Sequence, residues 1–304
     1  MTSSRFIIAE HVAAALAAGR PVVALETTLV THGLPPPHGL RVARGLEAAV
    51  REAGATPATI GILAGQVHVG LDSRGIETLA ASNAVKVNPG NLAAVVAAGI
   101  AGSTTVAATA WAAARAGIRV FATGGIGGVH RGATETGDVS ADLAALARHP
   151  VAVVCAGAKA ILDLPRTREA LETLGVPVLG LDTNEFPAFY RRSSGLAVDA
   201  RCDSPAEAAA AIEAHIALGL PGGILVANPI PGEHELPSDL HDQALATALA
   251  DAEVAGVRGR AVTPFLLERM RLLTGEASLR ANEALLVSNA CVAAQIAVAL
   301  TTLR

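Results

Sequence analysis

Short β-branched apolar runs alternate with longer Ala-rich stretches of helical length almost from end to end of this chain, and few architectures accept that alternation. The runs at 22–25, 59–63, 67–69, 85–87, 119–122, 151–155, 178–181 and 224–227 are too short to be helices. Several are continuously apolar, which predicts strands buried on both faces of a sheet. Between them, residues 39–52, 104–116, 140–148 and 205–218 read as helices, most of them closed by a glycine such as Gly54, Gly117 or Gly219. Ala64-Gly65-Gln66 separates two strand runs by a turn-sized gap, so a hairpin and a mixed sheet are expected. From Ser238 onward three helical stretches follow one another, the last a long Ala- and Leu-rich helix over 278–303. No linker or internal repeat divides the 304 residues. The expectation is one α/β domain over 1–304, with three layers (α/β/α) around a mostly parallel, mixed sheet.

Composition narrows what such a domain does. The chain is 51% hydrophobic yet 2% aromatic, so it folds around Ala, Val, Leu and Ile. A net charge of -4 gives no basic field for polymeric nucleic acid or an anionic membrane surface, although a nucleotide-sized ligand needs only a few placed donors. Cys155, Cys202 and Cys291 are odd in number and lack CxxC spacing, which predicts a reducing, cytoplasmic setting without disulfides. Glu10 and His11 interrupt the apolar run that begins at Arg5, so no secretory signal is expected. A mean hydropathy of +0.45 raises the question of a membrane span at 92–117. That stretch is mainly Ala, Gly, Ser and Thr with Arg115 inside it, which predicts a buried helix pair instead.

Of the 23 basic residues only Lys86 and Lys159 are lysines. Arg serves wherever a charge suffices, but it does not give up its proton or form an imine, whereas a desolvated Lys does both. The alternative is that an arginine-favouring genome left two lysines by chance. Lys159 follows the strand at 151–155 and a small-residue turn, Ala156-Gly157-Ala158, which places it at the carboxyl end of a strand where α/β sheets bind ligands. Its nearly uncharged sequence surroundings predict a lowered pKa. Lys86 sits inside the strand Val85-Lys86-Val87.

Three further segments carry polar groups of interest. The run from Thr123 to Gly132 holds four glycines in five residues followed by His130 and Arg131, which suits close backbone approach to a ligand but lacks dinucleotide-fingerprint spacing. It continues into a helix start where Ser140 is a candidate N-cap and Asp138 and Asp142 are candidate oxygen ligands for a divalent ion. Glu26 ends the apolar run at 22–25; buried there, it must be paired or protonated, as a general acid is tuned. His32 follows it as a ligand or a satisfied loop histidine, and no HxxxH or HExxH spacing suggests zinc. On these grounds the chain could be a Schiff-base enzyme, a class I aldolase or a non-catalytic sugar-phosphate binder. The strands are not spaced as the eight regular units of a barrel aldolase.

Taken together, Ala24-Leu25-Glu26-Thr27-Thr28 with His32-Gly33, Pro57-Ala58-Thr59-Ile60, and the stretches 104–109, 121–132, 138–142, 153–164, 226–231 and 263–267 resemble the pseudouridine-5'-phosphate glycosidase family, in order along nearly the whole chain. The resemblance implies a cytoplasmic enzyme of pseudouridine catabolism, with Lys159 as Schiff-base nucleophile and Glu26 as proton donor. Lys86, Val106 and Ser140-Ala141-Asp142 would contact substrate, and Thr123, His130 and Asn282 would line the pocket. One Mn²⁺ per subunit would sit on Asp138, with Asp142 sharing it through water. The implied substrates are pseudouridine 5'-phosphate, uracil and ribose 5-phosphate, and the implied assembly is a homotrimer. Where the family carries a basic pair after Lys86, this chain has Val87-Asn88-Pro89-Gly90-Asn91, so no charged phosphate contact is expected from that turn.

Overall fold

A computed structural model describes residues 5–35 and 37–303, with the Arg260 side chain also outside the described set, so the expected domain limits at 1 and 304 lie beyond it. The strands are β1 (Phe6–Ile8), β2 (Val22–Leu25), β3 (Thr56–Leu63), β4 (Gln66–Val69), β5 (Val85–Val87), β6 (Gly102–Thr104), β7 (Val120–Ala122), β8 (Ala152–Cys155), β9 (Val178–Leu181), β10 (Ala200–Cys202) and β11 (Ile224–Ala227). They form one sheet in the order β1-β4-β3-β2-β7-β8-β11-β9-β10, with β6 pairing β3 and β5 pairing β6. Every pairing is parallel except β3 with β4 and β3 with β6. The central strands β2, β7, β8, β9 and β11 are buried over almost their whole length, as a helix-covered parallel sheet requires. The chain is thus a single α/β domain with a mostly parallel, mixed sheet.

Strand β3 joins two regimes. Its first half pairs in parallel with β2, and its second half, from Ile60, runs antiparallel to β4. The turn between β3 and β4 is the expected hairpin: Ala64 and Gly65 both have positive φ, 49° and 73°, as a two-residue hairpin turn demands. β3 begins three residues earlier than the sequence suggests, because Pro57 argues against a strand locally, yet the strand runs through it.

The long helix Ala277–Thr302 packs across β2, β7 and β8, between helices His38–Glu52 and Pro205–Ala217. Among the described residues it alone is long and apolar enough to cross a membrane, and half of its most apolar window is buried in the protein. The helix pair expected over 92–117 is present as helices Pro89–Ala97 and Val106–Ala116, but strand β6 lies between them and only the second helix is largely buried. Ser103 and Thr104 are fully buried in β6, and a β-branched residue between two alanine-rich runs gave only a weak local sign of a strand. Strands β1 and β10 and helices Glu10–Ala17, Ser73–Ala81 and Leu164–Thr173 also lay outside the sequence reading. All three cysteines are free.

Candidate active site

Above the carboxyl ends of β2, β7 and β8 lies a cavity of about 480 Å³. Its wall includes Glu26, Lys86, Val106, His130, Asp138, Ser140, Ala141, Asp142 and Lys159, so nine residues singled out from sequence, spread over more than a hundred positions, converge on one space. A second cavity of about 240 Å³ adjoins it, sharing His32, Gly33, Pro264 and Leu267, and Asn282 lines this second space.

Glu26 leaves β2 into the protein and is 9% exposed. Thr123, the first residue after β7, donates its hydroxyl to Glu26 Oε1, so it stands behind the carboxylate and does not line the cavity itself. Burial pushes the Glu26 carboxyl above its ordinary value of 4.5, against the pull of the Lys159 charge and the Thr123 hydrogen bond. Asn289, on the long helix, holds Thr123 from behind by donating its Nδ2–H to the Thr123 carbonyl at 2.8 Å.

Lys159 follows β8 by a turn that only glycine permits. Gly157 has φ +78°, and a Cβ there would meet the Pro187 carbonyl oxygen at 2.0 Å. The Lys159 Nζ donates to the Gly125 carbonyl at 2.9 Å. The ring of Phe189 lies against Gly125, and its own backbone is left-handed at φ +63°, a conformation rare for a bulky residue and found where a structure enforces it. Phe189 thus packs against the glycine whose carbonyl orients the amine, a contact with no local sequence signal. The surroundings of Lys159 are not the uncharged ones its neighbours in sequence suggest: Glu26, Lys86 and His130 all interact with its charge. Tertiary contacts bring those groups in from other strands. Lys86, on β5, has its pKa lowered first by burial and then by Lys159.

Asp142 is 6% exposed and is held at both oxygens: Oδ1 accepts from the Ala107 N–H at 2.9 Å and Oδ2 from the Gly127 N–H at 2.8 Å. It ties the start of helix Val106–Ala116 to the glycine loop. Ser140 caps the helix Ala141–Leu146, accepting from the Asp142 N–H at 3.2 Å. His130 is pulled down by burial, against the charge of nearby Asp138. The turn after Lys86 is a capping box, with Asn88 and Asn91 each accepting a backbone N–H, so its amides are already partnered.

Among the described residues no three His, Cys, Asp or Glu side chains converge as a metal cage. Asp142 has one lone pair of each oxygen committed to an amide, and Asp138 is a half-buried carboxylate on the cavity wall. That donor set suits a hard cation keeping most of its waters. Thr28, Thr105 and, on helix Val262–Leu273, Thr263, Pro264 and Leu267 also line the cavity; that helix is the second of the three stretches expected after Ser238, but these residues carried no sequence sign of a site role beyond the block at 263–267.

Residues 11–299 match the family described as Indigoidine synthase A like protein. The pseudouridine-5'-phosphate glycosidase of Rhodospirillum centenum is 60% identical over 97% of this chain and 92% of its own. That of Methylobacterium nodulans is 56% identical over 96% and 87%, and that of Caldanaerobacter subterraneus subsp. tengcongensis 53% over 99% and 98%. Among solved structures, the prealnumycin C-glycosynthase AlnA in complex with ribulose 5-phosphate superposes with a TM-score of 0.91 at 40% identity, covering 99% of this chain and 98% of its own. An indigoidine synthase A-like protein from Thermotoga maritima gives 0.89 at 37% identity, covering 99% of each.

Proposed function

The chain belongs to the pseudouridine-5'-phosphate glycosidase family of enzymes, and from that premise we propose that it cleaves the carbon–carbon glycosidic bond of pseudouridine 5'-phosphate, reversibly, through an imine on Lys159. The observation that carries the reading is the meeting of the chain's two lysines and the buried Glu26 in one cavity. A carbon leaving group is poor, so water attack with simple protonation does not suffice, and a covalent amine solves the difficulty.

Glu26 donates a proton to the ribose ring oxygen as the C1'–O4' bond breaks, with electrons drawn from the uracil ring. The neutral Lys159 amine then adds at C1', and the electron pair returns to the ring. The ammonium formed at C1' gives a proton to the Glu26 carboxylate, Glu26 then protonates uracil C5, and the freed nitrogen lone pair forms the C=N bond as C1'–C5 breaks. Uracil departs. Water adds to the protonated imine, and the C–N bond breaks to return the amine and ribose 5-phosphate. Gly125 holds Nζ in place, and Thr123 fixes the carboxyl that moves protons. Lys86 and the Ser140–Asp142 segment are substrate contacts in this reading, with His130 on the same wall and Asn282 in the adjoining space. Asp138, with Asp142 reached through water, would hold one Mn²⁺, which when bound supplies positive charge to anionic substrate oxygens.

The test is release of uracil from pseudouridine 5'-phosphate, followed by its absorbance. Lys159→Ala is expected to abolish both this release and borohydride trapping with ribose 5-phosphate. Trapping at a different residue would overturn the role of Lys159, and equal cleavage of uridine 5'-phosphate would make the chain an ordinary N-glycosidase.

A further inference from the structure

His32 lines both cavities where they meet. It rides on the π-helical turn Leu29–Gly33, a rare geometry that recurs at functional sites. The hydrogens around it are accounted for. Thr31 Oγ1 has one hydrogen and donates it to Ser103 Oγ at 2.7 Å. The 2.6 Å contact between Thr31 Oγ1 and His32 Nδ1 therefore takes its hydrogen from the ring. This fixes the Nδ1–H tautomer and leaves a lone pair on Nε2. Burial and the charge of Lys86 hold the imidazole below its ordinary value of 6.5, which favours the neutral ring.

We propose that His32 is a specificity-determining contact whose Nε2 accepts a hydrogen bond from N1–H of the substrate's base. The inference rests on the functional reading above. In a C5-linked uracil, N1 keeps its hydrogen and stands where the N1-linked isomer presents C5–H. A fixed acceptor gains a hydrogen bond from the first and faces a carbon-bound hydrogen in the second, the kind of mismatch that discriminates strongly in a buried site. The two cavities suit the two halves of such a substrate. Lys86 gives the larger one a cationic side chain for a sugar phosphate, while Leu34, Pro264 and Leu279 with the Asn282 amide give the smaller one a slot for a planar ring. His32 stands at the junction, and Thr31 is its positioning residue.

The experiment compares pseudouridine 5'-phosphate with its N1-methyl analogue, which lacks the donor, in the wild type, His32→Leu, His32→Gln and Thr31→Val. Nitrogen-15 NMR of the His32 ring in the ligand-free protein accompanies it. The wild type is expected to show the Nδ1–H tautomer and to favour the unmethylated substrate by about 10-fold or more in kcat/KM. In His32→Leu that preference is expected to fall below about 3-fold, and in His32→Gln, whose amide oxygen can still accept, to persist. Thr31→Val is expected to mix the two tautomers and give an intermediate preference. An Nε2–H tautomer in the wild type, or a preference that survives in His32→Leu, overturns the inference and leaves the functional reading standing. Absence of uracil release by the wild type from the unmethylated substrate overturns that reading and this inference with it.

Discussion

At the residue scale, Glu26 combines burial with a charge that the surrounding protein only partly compensates. A carboxyl whose folded pKa lies above its unfolded value holds its proton more tightly in the native state. Its contribution to stability is complete below about pH 4.5 and is lost as pH rises through the folded value. Glu26→Gln removes that penalty. The Gln variant is expected to melt about 2–4 °C above the wild type at pH 8, with the gap closing toward pH 4.5, while uracil release falls by about 100-fold or more. Thermal melts across that range check the first part, and a gap independent of pH would assign the gain to packing. Cys155, by contrast, ends β8 close to Lys159 but is pushed up to about 12 by burial, so it is inert as a nucleophile. Thiol reagents are expected to leave turnover unchanged until the protein unfolds.

At the scale of elements, the site is made where loops leave parallel strands, and Asp142 fastens two of those departures together. In Asp142→Asn one acceptor oxygen becomes an N–H group, so either the Ala107 or the Gly127 amide loses its partner. A buried amide left unpaired costs about 1–3 kcal/mol. The urea midpoint is expected to fall with an unchanged slope, and an unchanged midpoint would free Asp142 from this fastening role. Gly157→Ala probes the turn that delivers Lys159. The added methyl would need both a left-handed backbone and the space of the Pro187 carbonyl, so the loop must move and carry the amine with it. The expected result is loss of borohydride trapping even where the variant remains folded by circular dichroism.

At the scale of the whole molecule, the Mn²⁺ dependence and the trimer that the sequence resemblance implies each have a direct measurement. Exhaustive chelation is expected to stop turnover and Mn²⁺ to restore it, with Asp138→Asn insensitive to added metal. Turnover that survives chelation would leave Asp138 a structural part only. Sedimentation equilibrium is expected to give about three times 30.5 kDa, consistent with apolar side chains such as Val254 at 91% and Leu218 at 75% exposure finding cover; a monomer would refute it. The strands that lead to Glu26 and Lys159 were legible because an apolar run of four or five residues, closed by a polar residue or a small-residue turn, is a local pattern. The same holds for the Ser140 cap and the turn at Ala64-Gly65, whose chemistry is complete within a few residues. Strand β6, the amide partners of Asp142 and Phe189 behind Gly125 were not legible, and the meeting of Lys86 with Lys159 was implied by the family resemblance and by no local pattern. Local propensity and hydrophobic period act over about one turn or one strand, so the sequence alone marks the buried central strands, the longer helices and the polar residues near their ends. Strand order and the crossovers between strands decided which of those ends share a cavity, because burial energy selects among whole arrangements of the chain and not among neighbours within it.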